Sequence, residues 1–254
     1  MQNDYRNPMT GYGTGAGARV DDDIDQGLRA YMLRVYNYMA IALAVTGAAA
    51  IGGFMAAVTT DATGAMQLTS FGVTLFTSPL KWVLMLAPLG LVFWLSARIH
   101  TMSLSTAQTL FWVYSALVGL SLSTIFLVYA HDSIARVFFV TAAAFAGLSL
   151  YGYTTKKDLS GWGSFLIMGL IGIIIASIVN YFLASSALQF AVSVIGVLVF
   201  AGLTAYDTQQ IKEMYYVGDD GSVAGRKAVM GALRLYLDFI NLFIMLLQLF
   251  GSRD

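Results

Sequence analysis

The sequence predicts an all-α integral membrane protein of seven transmembrane helices with its N-terminus in the cytoplasm. Three observations predict it. Of 254 residues, 58% are hydrophobic and only 11% are charged, and mean hydropathy is +0.72, beyond the range of a soluble domain. Seven apolar stretches approach or exceed the roughly 20 residues that cross a hydrocarbon core about 30 Å thick. The alternating segments of about 10 residues that a membrane β-barrel requires do not occur.

Residues 1–25 include NPMTGYGTGAGARVDDDID, rich in Gly, Asn and Asp. Such a segment is too polar to pack a core and is expected to be a disordered cytosolic tail, with residues 26–254 forming the transmembrane domain. It lacks the basic start of a signal peptide, so the first span is expected to be retained. The spans are placed at 36–58, 79–97, 106–129, 134–153, 162–184, 188–208 and 230–250. Residues 59–78 form a loop on the far side that carries a short interfacial segment. The stretch KEMYYVGDDGSVAGRKAV is read as a cytoplasmic loop. Glycines inside the spans, Gly52 and Gly53, Gly169 and Gly172, Gly196 and Gly202, mark close helix contacts.

Lysine and arginine orient the bundle, because cytoplasmic segments hold their excess. With the N-terminus inside, the outside holds only Lys81, Arg136 and Arg253 of the 14 basic residues. Seven spans then put the C-terminus outside.

Several function classes fall away. Formal net charge is zero, with no basic domain for nucleic acid. Cysteine is absent, which removes disulfides, thiolate metal sites and cysteine nucleophiles. His100 and His131 lie at opposite ends of the spans and do not suggest a metal site. With no nucleotide loop and no nucleophile triad, the chain reads as a non-enzyme without a resident cofactor.

Two segments resemble each other: AGLSLY at 146–151 and AGLTAY at 201–206, each closing a span. The next residue is Gly152 in one and Asp207 in the other. A six-residue match in an apolar chain leaves duplication open, yet it singles out Asp207. A second acid, Asp238, stands inside LRLYLDFINLFIMLLQLF at 233–250. At 3.6 residues per turn, Gly231, Arg234, Asp238, Asn241, Met245 and Gln248 share one helix face. Lipid cannot satisfy such a stripe, so the last helix is expected to be the buried, central one. Asp207, Asp238 and Arg98 are expected to cluster, joined by Arg234. Two plainer readings stay open: Arg234 and Asp238 as an i,i+4 ion pair, and Asp207 and Arg98 as ordinary interfacial residues.

GLRAYMLRVYNYMAIALAVTG at 27–47, AGLSLYGYTTKKDLS at 146–160, AGLTAYDTQQI at 201–211 and YLDFINLF at 236–243 together resemble the Bax inhibitor-1 family, in its bacterial branch. The resemblance covers nearly all of residues 27–250. It implies two three-helix layers around a central last helix, in a bacterial inner membrane. It implies a pH-sensitive calcium leak, with Asp207 and Asp238 as the pH-sensing pair. Arg98 is carried over by position as the pair's arginine. The long loop between the two aspartates departs from the family pattern and leaves their relative depth open.

Two carboxylates about 4 Å apart at an effective dielectric near 20 repel by about 4 kcal/mol, so such a pair is expected to share one proton. Deprotonated, the pair with Asn241, carbonyls and waters would hold calcium only loosely, as a transient ion. Three other readings stand beside the leak. One is a regulator without transport of its own, acting on a membrane-bound AAA-type protease or in cell death. Another is a proton-coupled solute transporter. The third is an intramembrane aspartyl protease, against which YLD stands where GxGD is expected.

Overall fold

A computed structural model describes residues 15–61 and 65–253, with side chains from residue 26 onward. Helix α1 spans Gly15–Ala57. A short antiparallel hairpin follows, β1 Val58–Thr60 against β2 Met66–Leu68 with Val58 opposite Leu68, and then a short helix α2, Ser70–Thr77. The remaining helices are α3 Leu80–Arg98, α4 Leu104–Leu122 with a 3-10 turn at Ser123–Leu127, α5 His131–Thr154, α6 Ser160–Leu183, α7 Ser186–Glu213 and α8 Gly221–Phe250. Among the described residues seven of these helices are long and apolar enough to cross a membrane.

Short polar residues start α2, α4, α7 and α8 by accepting from N–H groups that the first turn leaves without partners. Gly72 N–H donates to Thr69 Oγ1 at 3.1 Å, Thr106 N–H to Ser103 Oγ at 3.1 Å and Leu188 N–H to Ser185 Oγ at 3.3 Å. Asp220 receives the N–H groups of Val223 and Ser222, both at 2.8 Å, and these hold its carboxyl below the usual range. Helix α6 ends on Ala184, whose φ of 48° lies in the left-handed region. Asn180 secures that turn: its carbonyl receives Ala184 N–H at 2.8 Å and its side chain receives Ser185 N–H at 3.0 Å.

Helix α8 is the axis of the bundle. Of its most apolar window 67% is buried, against at most 39% in any other spanning helix. Helices α1, α3 and α4 pack as one layer, α5, α6 and α7 as another, and α8 lies between them against α1, α4, α5 and α7. The expected central last helix is therefore present. Its C-terminus is tied to the start of α5: Ala130 N–H donates to Ser252 O at 3.0 Å, and Ser252 N–H to Ser133 Oγ at 2.9 Å.

The span positions agree with expectation, and two boundaries differ most. Helix α1 begins at Gly15 rather than near residue 36, inside the expected disordered tail; residues 1–14 of that tail lie outside the described residues. Helix α8 begins at Gly221, so the expected loop carrying GDDGSVAGRKAV shrinks to residues 214–220. Both corrections have one cause. Hydropathy marks only the part of a helix that lipid surrounds, whereas the helix itself continues into water for several polar turns. The interfacial segment expected in 59–78 is the hairpin and α2.

Close helix contacts fall where small residues stand, though not at every one foreseen. A Cβ on Gly53 would meet Leu120, on Gly169 Val199, on Gly196 Met245 and on Gly202 Leu166, all below 3.0 Å. Gly52 and Gly172 face open space. The tightest crossings within the bundle are limited by backbone: Gly119 lies against the Thr46 carbonyl and Gly152 against the Ala205 carbonyl.

Candidate functional site

Asp207 stands six residues before the end of α7, about 9 Å along the axis, and Asp238 lies well inside α8. Helix α7 continues unbroken past Asp207, so no unwinding is needed to bring the two acids level. Both carboxyls line one cavity and lie close enough to act on each other. Asp238 is only 4% exposed, and its Oδ2 is buried without a hydrogen-bond partner; Asp207 is half-buried. Among the described residues no N–H or O–H donates to either carboxyl. A contact between two acceptors with no donor is repulsive unless a proton lies between them.

The pair borders a cavity of about 880 Å³ between α3, α6, α7 and α8. Most of its lining is apolar, including Val92, Ile173 and Phe200. Its polar edge is Asp207, Arg234, Asp238 and Asn241. The polar stripe foreseen on the last helix thus turns inward as expected. Asn241 donates its amide to Leu237 O at 2.8 Å, which leaves its side-chain oxygen as an acceptor.

Arg234, not Arg98, is the arginine of this cluster. Arg234 is exposed to the cavity, and its charge acts on both aspartates without forming a direct ion pair with either. Arg98 is exposed at the last turn of α3 and forms no ion pair among the described residues, where the pairs are Arg136–Asp132 at 3.1 Å and Lys227–Asp219 at 2.5 Å. The reason is angular. Ser96 is the last α3 residue lining the cavity, and two further residues turn Arg98 about 200° away. Arg234 shares the face of Asp238, a signal the 3.6-residue period carries.

The similar segments 146–151 and 201–206 also meet. Ser149 of the first and Thr208, just beyond the second, share a hydrogen bond at 2.9 Å, and Tyr36 OH reaches Ser149 Oγ at 2.7 Å. This hydroxyl chain joins α1, α5 and α7, and nothing in the sequence marked it beyond the repeat itself. Among the described residues no group of three or more His, Asp or Glu side chains gathers as a metal site.

A bundle with seven helices, among the described residues, long and apolar enough to cross a membrane, and with two acids lining one cavity, has the build of a polytopic membrane protein. The chain belongs to the Bax inhibitor-1 family: the model of the family described as inhibitor of apoptosis-promoting Bax1 matches residues 28–254. Relatives extend over nearly its whole length. The inner membrane protein YbhL of Escherichia coli strain K12 is 49% identical over 230 residues, covering 89% of this chain and 93% of that one. The uncharacterized protein RP147 of Rickettsia prowazekii is 49% identical over 229 residues, covering 90% and 92%. A Deinococcus radiodurans protein is 41% identical over 231 residues, covering 91% and 94%.

Proposed function

We propose that this protein is a pH-sensitive calcium leak of an inner membrane, gated by Asp207 and Asp238. The observation that carries the reading is a pair of carboxyls from different helices lining one membrane cavity, one of them with a buried oxygen that no donor serves. One shared proton ties α7 to α8. Removing it sets two carboxylates against each other, a repulsion of about 4 kcal/mol at 4 Å and an effective dielectric near 20. The helices separate at that level, and the dianion attracts a cation from the cavity. Calcium prefers six to eight oxygens. Two carboxylates, the Asn241 oxygen and waters form a weak site, which suits an ion that must leave again. On the lysine and arginine bias, the end of the bundle that carries the α3–α4, α5–α6 and α7–α8 connections faces the cytoplasm.

The test is calcium entry into liposomes bearing the purified protein, on the acid and alkaline sides of neutrality. Entry is expected to rise with pH in the native chain and to lose that rise in Asp207→Asn and in Asp238→Asn. Arg234 lines the same cavity as the pair and Arg98 does not, so Arg234→Gln is expected to alter the pH dependence of entry while Arg98→Gln leaves it in place. Entry no greater than in empty liposomes at every pH would overturn the reading.

A further inference from the structure

The polar face of α8 does not end at the aspartate pair. A second cavity of about 410 Å³ lies at the opposite end of the bundle, beside the α6–α7 connection, and Asn180, Gln189 and Gln248 line it. The two cavities share two lining residues, Ser177 of α6 and Met245 of α8. On α8, Met245 separates Gln248 from Asn241 and Asp238, and it is the apolar member of the polar stripe that runs from Arg234 to Gln248. Its thioether lies over Gly196 of α7, where a Cβ would come within 2.8 Å of Sδ and 2.9 Å of Cγ.

The geometry points to Met245, seated in the notch of Gly196, as the constriction between a hydrated vestibule at that end and the inner cavity of the aspartates. This deepens the calcium-leak reading and rests on it for what passes; the constriction itself does not depend on the ion. Three arguments carry it. First, the vestibule is polar beyond what its own bonds explain. Gln248 accepts from Ser193 Oγ at 2.7 Å, but its amide nitrogen and the Gln189 side chain find no protein partner among the described residues. Both stand within about a turn of a helix end and are only half-buried, so water reaches them. Second, an apolar side chain standing between a polar vestibule and the polar edge of the inner cavity interrupts a water column, and pores close in this way. Third, methionine is unbranched and flexible, so its side chain can leave the notch without moving α8. The residue opposite is glycine, and a side chain there would push Met245 away from α7.

The chain has no cysteine, so single introduced thiols report access without background. Sealed membrane vesicles would be treated with a membrane-impermeant maleimide, with Ser186→Cys, exposed at the same end of the bundle, as the reference for reagent access. Gln248→Cys and Ser177→Cys are expected to label, and Asn241→Cys, beyond the constriction, to stay at background. Adding Met245→Ala to Asn241→Cys is expected to raise its labelling to the rate seen at Gln248→Cys. Adding Met245→Leu instead, which refills the notch and guards against a folding defect, is expected to keep it at background. Labelling of Asn241→Cys with native Met245, or none with Met245→Ala in a monodisperse protein, overturns the proposal. Labelling that follows Met245 while no calcium enters liposomes would keep the constriction and remove the calcium reading.

Discussion

Gly152→Val is expected to prevent accumulation of folded protein, and Gly119→Val to do the same. At position 152 even the first side-chain carbon would lie 2.9 Å from the Ala205 carbonyl carbon and 3.0 Å from its Cα, with the carbonyl oxygen nearer still. At position 119 the carbon would meet the Thr46 carbonyl and stand 2.8 Å from Ala49 Cβ. A flexible side chain can yield to such a clash; helical backbone cannot, so the two helices must separate. In a bilayer, helices associate by close packing and not by withdrawal from water, so a lost contact has no compensating hydrophobic gain. The cost is on the order of 4 kcal/mol or more, comparable with the whole stability of many domains. The measurement is the yield of monodisperse protein after extraction and its thermal unfolding midpoint. Gly172→Ala is the control: open space surrounds it, and alanine in a helix interior is favoured by roughly 1 kcal/mol. If Gly152→Val unfolds at the native midpoint, the α5–α7 crossing is not as close as described.

The same crossing explains what the sequence could and could not make visible. Seven spans are legible because lipid imposes length and apolarity on every helix it surrounds, and Asp207 and Asp238 are legible because an acid in such a helix has few tolerable positions. The period of 3.6 residues put Arg234, Asp238, Asn241, Met245 and Gln248 on one face, and the structure turns that face onto two cavities. Arg98 failed because depth was read without angle: it ends α3 at a suitable level but points away from the pair. Among the glycines, composition alone could not separate Gly53, packed against Leu120, from its neighbour Gly52, which meets nothing. The distinction is again one of helix angle, 100° between adjacent residues. Helix ends were missed for the opposite reason, since the polar turns 221–229 of α8 carry no hydropathy signal and are held by the Asp220 cap.

Tyr236→Ala is expected to destabilise the bundle by roughly 3–5 kcal/mol, the range for removing a buried aromatic ring, and, on the leak proposed above, to abolish the pH dependence of calcium entry as well. Tyr236 is fully buried at the centre of the molecule, where Phe111 and Tyr114 of α4 meet its ring edge-on at 5.8 and 5.7 Å. Its hydroxyl is 2.7 Å from Thr46 Oγ1 of α1, which also reaches Ser115 O of α4 at 3.0 Å. One side chain therefore fixes α8 against both α1 and α4. Two residues on, Asp238 projects about 200° around the helix, toward α7. The ring that anchors one face of α8 thereby sets the angle at which the carboxyl on the other face meets Asp207. Tyr236→Phe keeps the ring contacts, and Thr46 retains a carbonyl acceptor, Ala42 O at 2.9 Å. Its cost is about 1 kcal/mol, and the pH dependence is expected to survive. Thermal unfolding midpoints beside calcium entry would separate the two effects: a Tyr236→Ala protein that is destabilised yet still responds to pH would mean that α8 holds its rotation through other contacts, and that the aspartate pair is set by α7 alone.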